Sequence, residues 1–140
     1  MSSFHYYHPI EVRYGDLDPQ GHVNNAKYMT YMEQARISYV HELGLWKGGS
    51  FDELGIILAD MHITYLEPVV YGQPVRVGVR ISRLGNKSLT MEHSLEDAKT
   101  GQELAKASTV LVAYDYKRKA SIPIPTEWRE KISRFETLSS

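Results

Sequence analysis

One segment narrows the choice of fold more than any other. In residues 25–43, Tyr28, Met32, Ala35, Tyr39 and Leu43 recur at spacings of 4, 3, 4 and 4. That is the period of a helix with one apolar stripe. Met29, Ile37 and Val40 widen the stripe, so this helix needs cover on several sides. Asn24 stands where an N-cap belongs and Gly44 where a C-terminal cap belongs. Met29, Met32, Met61 and Met91 all read as core residues, or as the adaptable lining of an apolar pocket.

Downstream the period changes from helical to alternating. Ile57, Ala59, Met61, Ile63 and Tyr65 share one face of a strand over 56–66, with Asp60 and His62 opposite, facing solvent or a subunit interface. Val75, Val77, Val79 and Ile81 do the same over 75–83, and Leu89, Met91, His93 and Leu95 over 87–97. Leu104, Val110, Val112, Tyr114 and Tyr116 follow less cleanly over 104–116. The connections "EPVVYGQP", "LGNKS" and "DAKTGQ" carry hairpin-turn residues. Residues 45–53 read as a loop, and a short helix is expected from Thr126 to about Phe135. Upstream, Tyr6, His8, Ile10, Val12 and Tyr14 alternate with Glu11 and Arg13, which predicts a half-buried strand over 6–14. Strand, long helix and four antiparallel strands make an α+β fold. The wide sheet must cover its apolar face, and only the 25–43 helix is long and apolar enough to do so.

Composition removes several classes of function. A chain of 140 residues with 16 basic and 17 acidic side chains forms one domain, 1–140, without the basic excess of a nucleic-acid binder. It has no cysteine, hence no disulfide framework, thiol nucleophile or thiolate metal site, which suits the cytoplasm. No HxxxH or HxH spacing points to a metal. "MSSFHYYHPIEV" lacks the basic and apolar regions of a signal peptide, and no apolar run reaches membrane-spanning length.

The connection between the first strand and the helix, "RYGDLDPQGHVNNAKY", is far more polar than a turn requires. Asp18 precedes Pro19, and Asp-Pro is a common turn former. A carboxylate there also sits just ahead of a helix start, where unpaired N–H groups and about half a positive charge collect.

The motif "YGDLDPQGHVNNAKYMTYMEQAR", in this element order, resembles the hotdog fold. More narrowly it resembles the 4-hydroxybenzoyl-CoA thioesterase family of acyl-CoA thioesterases. The matching residues are Tyr14, Asp16, Asp18, Gly21, Tyr28 and Arg36. "GHVNNAKY" is also close to the form in long-chain acyl-CoA thioesterases and plant acyl-ACP thioesterases. The resemblance implies an antiparallel sheet wrapped around a long central helix. It makes Asp18 the catalytic carboxylate, as nucleophile or as general base on water. It places residue 25 at the helix start, helping to polarise the thioester carbonyl; some members have His there, whereas this chain has Asn25. Oxyanion donors are then expected among the backbone N–H groups of His22, Val23, Asn24 and Asn25, with Gly21 in the turn. Asp16 is expected to brace the turn or hold Arg13 or Arg36. Tyr14 reads equally as a hydrogen-bonding group near the site and as a core strand residue.

The implied substrate is an acyl-CoA, with coenzyme A as part of the substrate and no separate cofactor or metal. Arg83, Lys87 and Ser88 in one turn, and Lys117, Arg118 and Lys119 in another, are candidates for its nucleotide. The family also implies a homo-oligomer, dimer or tetramer, with composite sites. Three alternatives stand beside this reading. One is an acyl-CoA-binding module without turnover, and another is an acyl-carrier-protein thioesterase. The third, a hotdog hydratase or dehydratase, is disfavoured by the Asp-x-Asp connection.

Overall fold

The computed structural model describes residues 4–50 and 55–138. Its elements run β1 (Tyr6–Ile10), a 3-10 turn (Tyr14–Asp16), α1 (Asn25–Glu42), β2 (Ile56–Tyr65), β3 (Val75–Leu84), β4 (Ser88–Asp97), β5 (Glu103–Asp115), β6 (Ala120–Ser121) and α2 (Thr126–Glu136). Part of the expected 45–53 loop, residues 51–54, lies outside the described residues.

The six-stranded sheet has the order β1-β3-β4-β5-β2, with β6 added to β5, and every pairing is antiparallel. Val75, Val77, Val79 and Ile81 of β3 and Met91 and Leu95 of β4 are buried with Met32, Ala35 and Tyr39 of α1. Apolar residues at alternate sheet positions and at every third or fourth helix position therefore meet in one core. The 18 residues of α1 span about 27 Å at 1.5 Å each. At its end, the N–H of Gly44 reaches the carbonyl of His41 and that of Leu45 the carbonyl of Val40. This closing pattern needs the left-handed φ of +76° that Gly44 adopts.

Several expectations change. β1 stops at Ile10, and Tyr14 starts the 3-10 turn with 83% of its surface exposed, so it is not a core strand residue. Met29 is exposed as well, because it lies on the side of α1 turned away from the sheet. In β2 the register against β5 runs Leu58 to Leu111 and then Asp60 to Val110, leaving Ala59 as a bulge. Residues opposite one another across strands share a face. Ile56 and Leu58 therefore join Met61 and Ile63 on the inner face, and Ile57 turns outward with Asp60 and His62. In β5 the inner face is Ala105, Ala107, Thr109, Leu111 and Ala113, all buried, rather than Val110 and Val112. A second bulge explains the switch: Leu95 faces Ala105 and Glu96 faces Glu103, so Leu104 also turns inward. Finally, "EPVVYGQP" is not a hairpin. β2 and β3 are not neighbours: this segment leaves the edge strand β2 and reaches β3, next to the opposite edge strand β1.

Candidate active site

The Asp18 connection is folded by its own backbone. The Asp18 N–H donates to the His22 carbonyl at 2.8 Å, and the Gly21 N–H to the Asp18 carbonyl at 2.9 Å. Closing so short a loop requires a left-handed residue, and Gly21 supplies it at φ +80°. One carboxylate oxygen of Asp18, Oδ1, accepts from the N–H of Gln20 at 2.9 Å and of His22 at 3.3 Å. Among the described residues the other oxygen, Oδ2, has no hydrogen-bond donor, and Asp18 is only half-buried. The carboxylate is held at one oxygen and open at the other.

Asp16 does different work. It is buried, and its Oδ2 accepts from the Tyr31 hydroxyl at 2.6 Å and the Arg13 N–H at 3.0 Å. Its carbonyl accepts the Asn24 N–H at 2.8 Å. Burial alone would raise its pKa. The hydrogen bonds from Tyr31 and Arg13 and the charges of Lys27 and Arg13 outweigh that and hold it below the ordinary carboxylate range. Asp16 thus braces the turn through the Arg13 backbone, while the Arg36 guanidinium pairs with Glu33 at 3.5 Å.

The start of α1 narrows the choice of oxyanion donor. The Asn24 side chain caps the helix by accepting the Ala26 N–H at 2.8 Å, and the Lys27 N–H reaches the Asn24 carbonyl. His22, Val23 and Asn24 donate their N–H groups to Asp18, Val69 and Asp16 respectively. Of the donors expected over 22–25, only the Asn25 N–H has no acceptor among the described residues. Asn25 is the first residue of the helix, where an N–H has no intrahelical partner.

A cleft of about 490 Å³ brings these groups together. Asp18, His22, Asn24 and Asn25 line it, with Tyr65 and Glu67 from the crossover side. The crossover is attached directly to the connection: the Val23 N–H donates to the Val69 carbonyl at 2.8 Å, and His22 bridges Val70. Buried Tyr28 donates its hydroxyl to the Glu67 carbonyl at 3.3 Å and packs edge-on against Tyr65, ring centres 5.0 Å apart. Burial raises the Tyr28 hydroxyl above its ordinary pKa, and the Asp18 charge adds to the rise. Tyr65, Glu67 and Val69 escaped sequence reading because a hairpin would have held them away from Asp18. Their one signal is "YLEPVVY", unusually apolar for a turn.

The structure does not bring the nucleotide candidates to this cleft within one chain. Arg83, Lys87 and Ser88 sit at the β3–β4 turn, at the opposite end of β3 from the crossover and about 25 Å along the strand. The 116–119 turn is at that same far end, joined through the Ala113 N–H to the Lys87 carbonyl. Tyr14 is four positions from Asp18, exposed, with no hydrogen bond from its hydroxyl among the described residues.

A larger groove of about 960 Å³ lies on the outer face of the sheet. Its arginines are committed, Arg76 to Glu96 at 3.0 Å and Arg80 to Glu92, and it holds no free helix-end donor. Among the described residues no three His, Asp or Glu side chains gather in a metal-binding group.

Known proteins share this fold and part of this sequence. A thioesterase from Thermus thermophilus, solved with coenzyme A and zinc, superposes with a TM-score of 0.86 at 37% identity, covering 99% of this chain and 100% of that one. The long-chain acyl-CoA thioesterase FadM of Escherichia coli is 26% identical over 126 residues, 90% of this chain and 96% of FadM. A chloroplastic acyl-acyl carrier protein thioesterase of Arabidopsis thaliana is 26% identical, over 96% of this chain and 70% of its own length. The family model of the thioesterase-like superfamily matches residues 12–132. With its antiparallel α+β fold and its carboxylate beside a helix start, the chain belongs to the thioesterase-like superfamily.

Proposed function

We propose that this protein hydrolyses acyl-CoA thioesters to a free carboxylic acid and coenzyme A, in a hotdog arrangement with the sheet curved around α1. One observation carries the reading: a carboxylate oxygen of Asp18 and the N–H of Asn25, both without partners among the described residues, line one cleft. Thioester hydrolysis needs those two functions. The carbonyl oxygen of the substrate takes the Asn25 N–H, where the helix end supports developing negative charge. Asp18 then acts in one of two ways. As general base it removes a proton from water, whose oxygen adds to the carbonyl carbon; the tetrahedral intermediate collapses, the C–S bond breaks, and the proton passes to the departing sulfur. As nucleophile it adds to the carbonyl itself and expels the thiolate, and water hydrolyses the mixed anhydride. Either route uses only groups of the protein and water.

The FadM and Thermus relatives support coenzyme A as the carrier, and the chloroplast relative supports a carrier protein as the second possibility. The exposed Tyr14 and Met29, and the open edge of β2, support a homo-oligomer, dimer or tetramer, in which the 13–25 connection faces a groove of a neighbour. In such an assembly Arg83, Lys87 and Ser88 reach the nucleotide from a second copy. Among the described residues no helix is long and apolar enough to cross a membrane, and the cysteine-free composition supports a cytoplasmic setting.

The test is thiol release from acetyl-, octanoyl-, palmitoyl- and benzoyl-CoA, run beside binding of the same compounds and beside octanoyl carrier protein. Release from one or more acyl-CoAs is expected. Tight binding without release would replace the hydrolase with a binding module, and release from the carrier protein alone would change the substrate.

A further inference from the structure

Tyr65 holds an unusual place for a residue at the end of an edge strand. Its backbone pairs with Ala105 of β5, yet its hydroxyl donates across the cleft to the carbonyl of Asn25 at 3.2 Å, 40 positions away. Its ring does not swing freely, because it stands edge-on to buried Tyr28 at an interplanar angle of 75°. Even so, 46% of its surface remains exposed at the cleft. An aromatic ring left half in water beside a reactive carboxylate has a use beyond packing.

Asn25 is the first residue of the helix. The Asn24 side chain secures Ala26 and the Asn24 carbonyl secures Lys27. The N–H of Asn25 has no acceptor among the described residues, and its carbonyl receives Tyr65. First turns fray more readily than helix interiors, and a donor that is to meet a developing oxyanion gains from being held before the reaction begins. The carbonyl and N–H of one residue are joined through a single Cα, so fixing the first restrains the second.

Resting on the hydrolase reading above, we propose that Tyr65 is a positioning residue: its hydroxyl, by holding the Asn25 carbonyl, keeps the Asn25 N–H aimed at the substrate carbonyl. Its contribution falls in the transition state, because the N–H bond to oxygen strengthens as charge develops there. A residue that only lined the cleft would act on substrate binding instead.

The experiment compares Tyr65→Phe with the unaltered protein, using whichever acyl-CoA of the panel turns over best. Phenylalanine keeps the ring and its contact with Tyr28 and removes only the hydroxyl. The expected result is a fall in kcat of about fivefold, the rate equivalent of one ordinary net hydrogen bond. KM, affinity for free coenzyme A and the shape of the pH profile should stay as they were, while the denaturation midpoint falls by no more than one hydrogen bond is worth. Tyr65→Ala, which also removes the ring, should add a rise in KM. An unchanged kcat in folded Tyr65→Phe, or a loss expressed wholly in KM, overturns the positioning role while leaving the hydrolase intact. Absence of turnover in the unaltered protein overturns the hydrolase reading and the role of Tyr65 with it.

Discussion

The hydroxyl of Tyr39, in the last turn of α1, donates to Oε2 of Glu136 at 2.5 Å, tying together residues 97 positions apart. The same carboxylate oxygen accepts the N–H of Ile81 at 3.1 Å. β1 pairs with β3 only as far as Tyr6 opposite Val79, so Ile81 lies past the end of the edge strand. Glu136 of α2 supplies the acceptor that β1 does not reach. Burial first, then the hydrogen bond and charge of Glu136, push the Tyr39 hydroxyl well above its ordinary pKa, so it stays a donor at every working pH.

Removing that carboxylate should therefore cost more than removing one bond. Glu136→Ala strands a buried hydroxyl and a backbone N–H together, an expected loss of ~3 kcal/mol, against ~2 kcal/mol for Tyr39→Phe. The double variant should fall short of the sum, since the residues share an interaction. Urea midpoints of the three variants check this, and full additivity would mean that the two residues act separately.

Asp18→Asn keeps the Oδ1 acceptor that closes the turn but loses the charge and the basicity. Turnover should drop by ~10²-fold or more, with acyl-CoA affinity and fold retained. Asp16→Asn should show the opposite balance: a modest loss of activity and ~1–2 kcal/mol of stability, because the Tyr31 hydroxyl and the Arg13 N–H lose a charged acceptor. Near-normal turnover in a folded Asp18→Asn protein would remove the carboxylate from the chemistry.

Gly21→Ala places a side chain at a φ of +80° in open space. The cost is conformational rather than steric crowding, ~1–2 kcal/mol. Any relaxation shifts the loop that holds Asp18, so kcat should fall along with stability. Crystals or amide spectra of the variant should show the change confined to about residues 17–24.

His93 makes stability sensitive to acid. It is 1% exposed on the inner face of β4, and among the described residues neither ring nitrogen has a hydrogen-bond partner. Burial, aided by the positive charge of Arg36, lowers its pKa from 6.5 to about 3. Below pH 6.5 the unfolded chain takes up a proton that the folded protein refuses. Stability should then fall as pH drops, by up to ~1.4 kcal/mol per pH unit, levelling near pH 3 once both states are protonated. His93→Leu should flatten this part of the acid limb and leave stability at pH 7 equal or higher. Equal slopes for the two proteins between pH 6 and 4 would show that His93 is solvated or paired in solution.

Asn24 and Gly44 were recognisable as helix caps because their roles follow from residue type and local position. The stripe through Tyr28, Met32 and Tyr39 was legible for the same reason, and so were the faces of β3 and β4, whose inner positions alternate from Val75 to Ile81 and from Leu89 to Leu95. The connection around Asp18 stood out in the sequence because its polar residues exceed what a turn needs. Long-range placement was not. Whether Arg83 lies near Asp18 depends on which end of a strand faces which loop, and "EPVVYGQP" has the turn residues of a hairpin whether it links neighbours or crosses the sheet. Met29 and Tyr14 were misplaced because an apolar side chain does not itself say which way its element is rotated. In β2 and β5, strict alternation failed wherever an extra residue had been inserted.

The extra residue in β2 also has a genetic consequence. Ala59 is the one position of that strand facing no partner residue. Loss of its codon would leave Leu58 opposite Leu111 and Asp60 opposite Val110, with inside and outside preserved on both flanks. What would go is the local bend. Loss of a codon from residues 61 to 64 would instead force one flank to slip by one residue and exchange its faces, sending Asp60 and His62, or Ile63 and Tyr65, to the wrong side. Within a ten-residue strand, inheritance of a shorter gene is therefore tolerable at Ala59 and ruinous a few codons downstream.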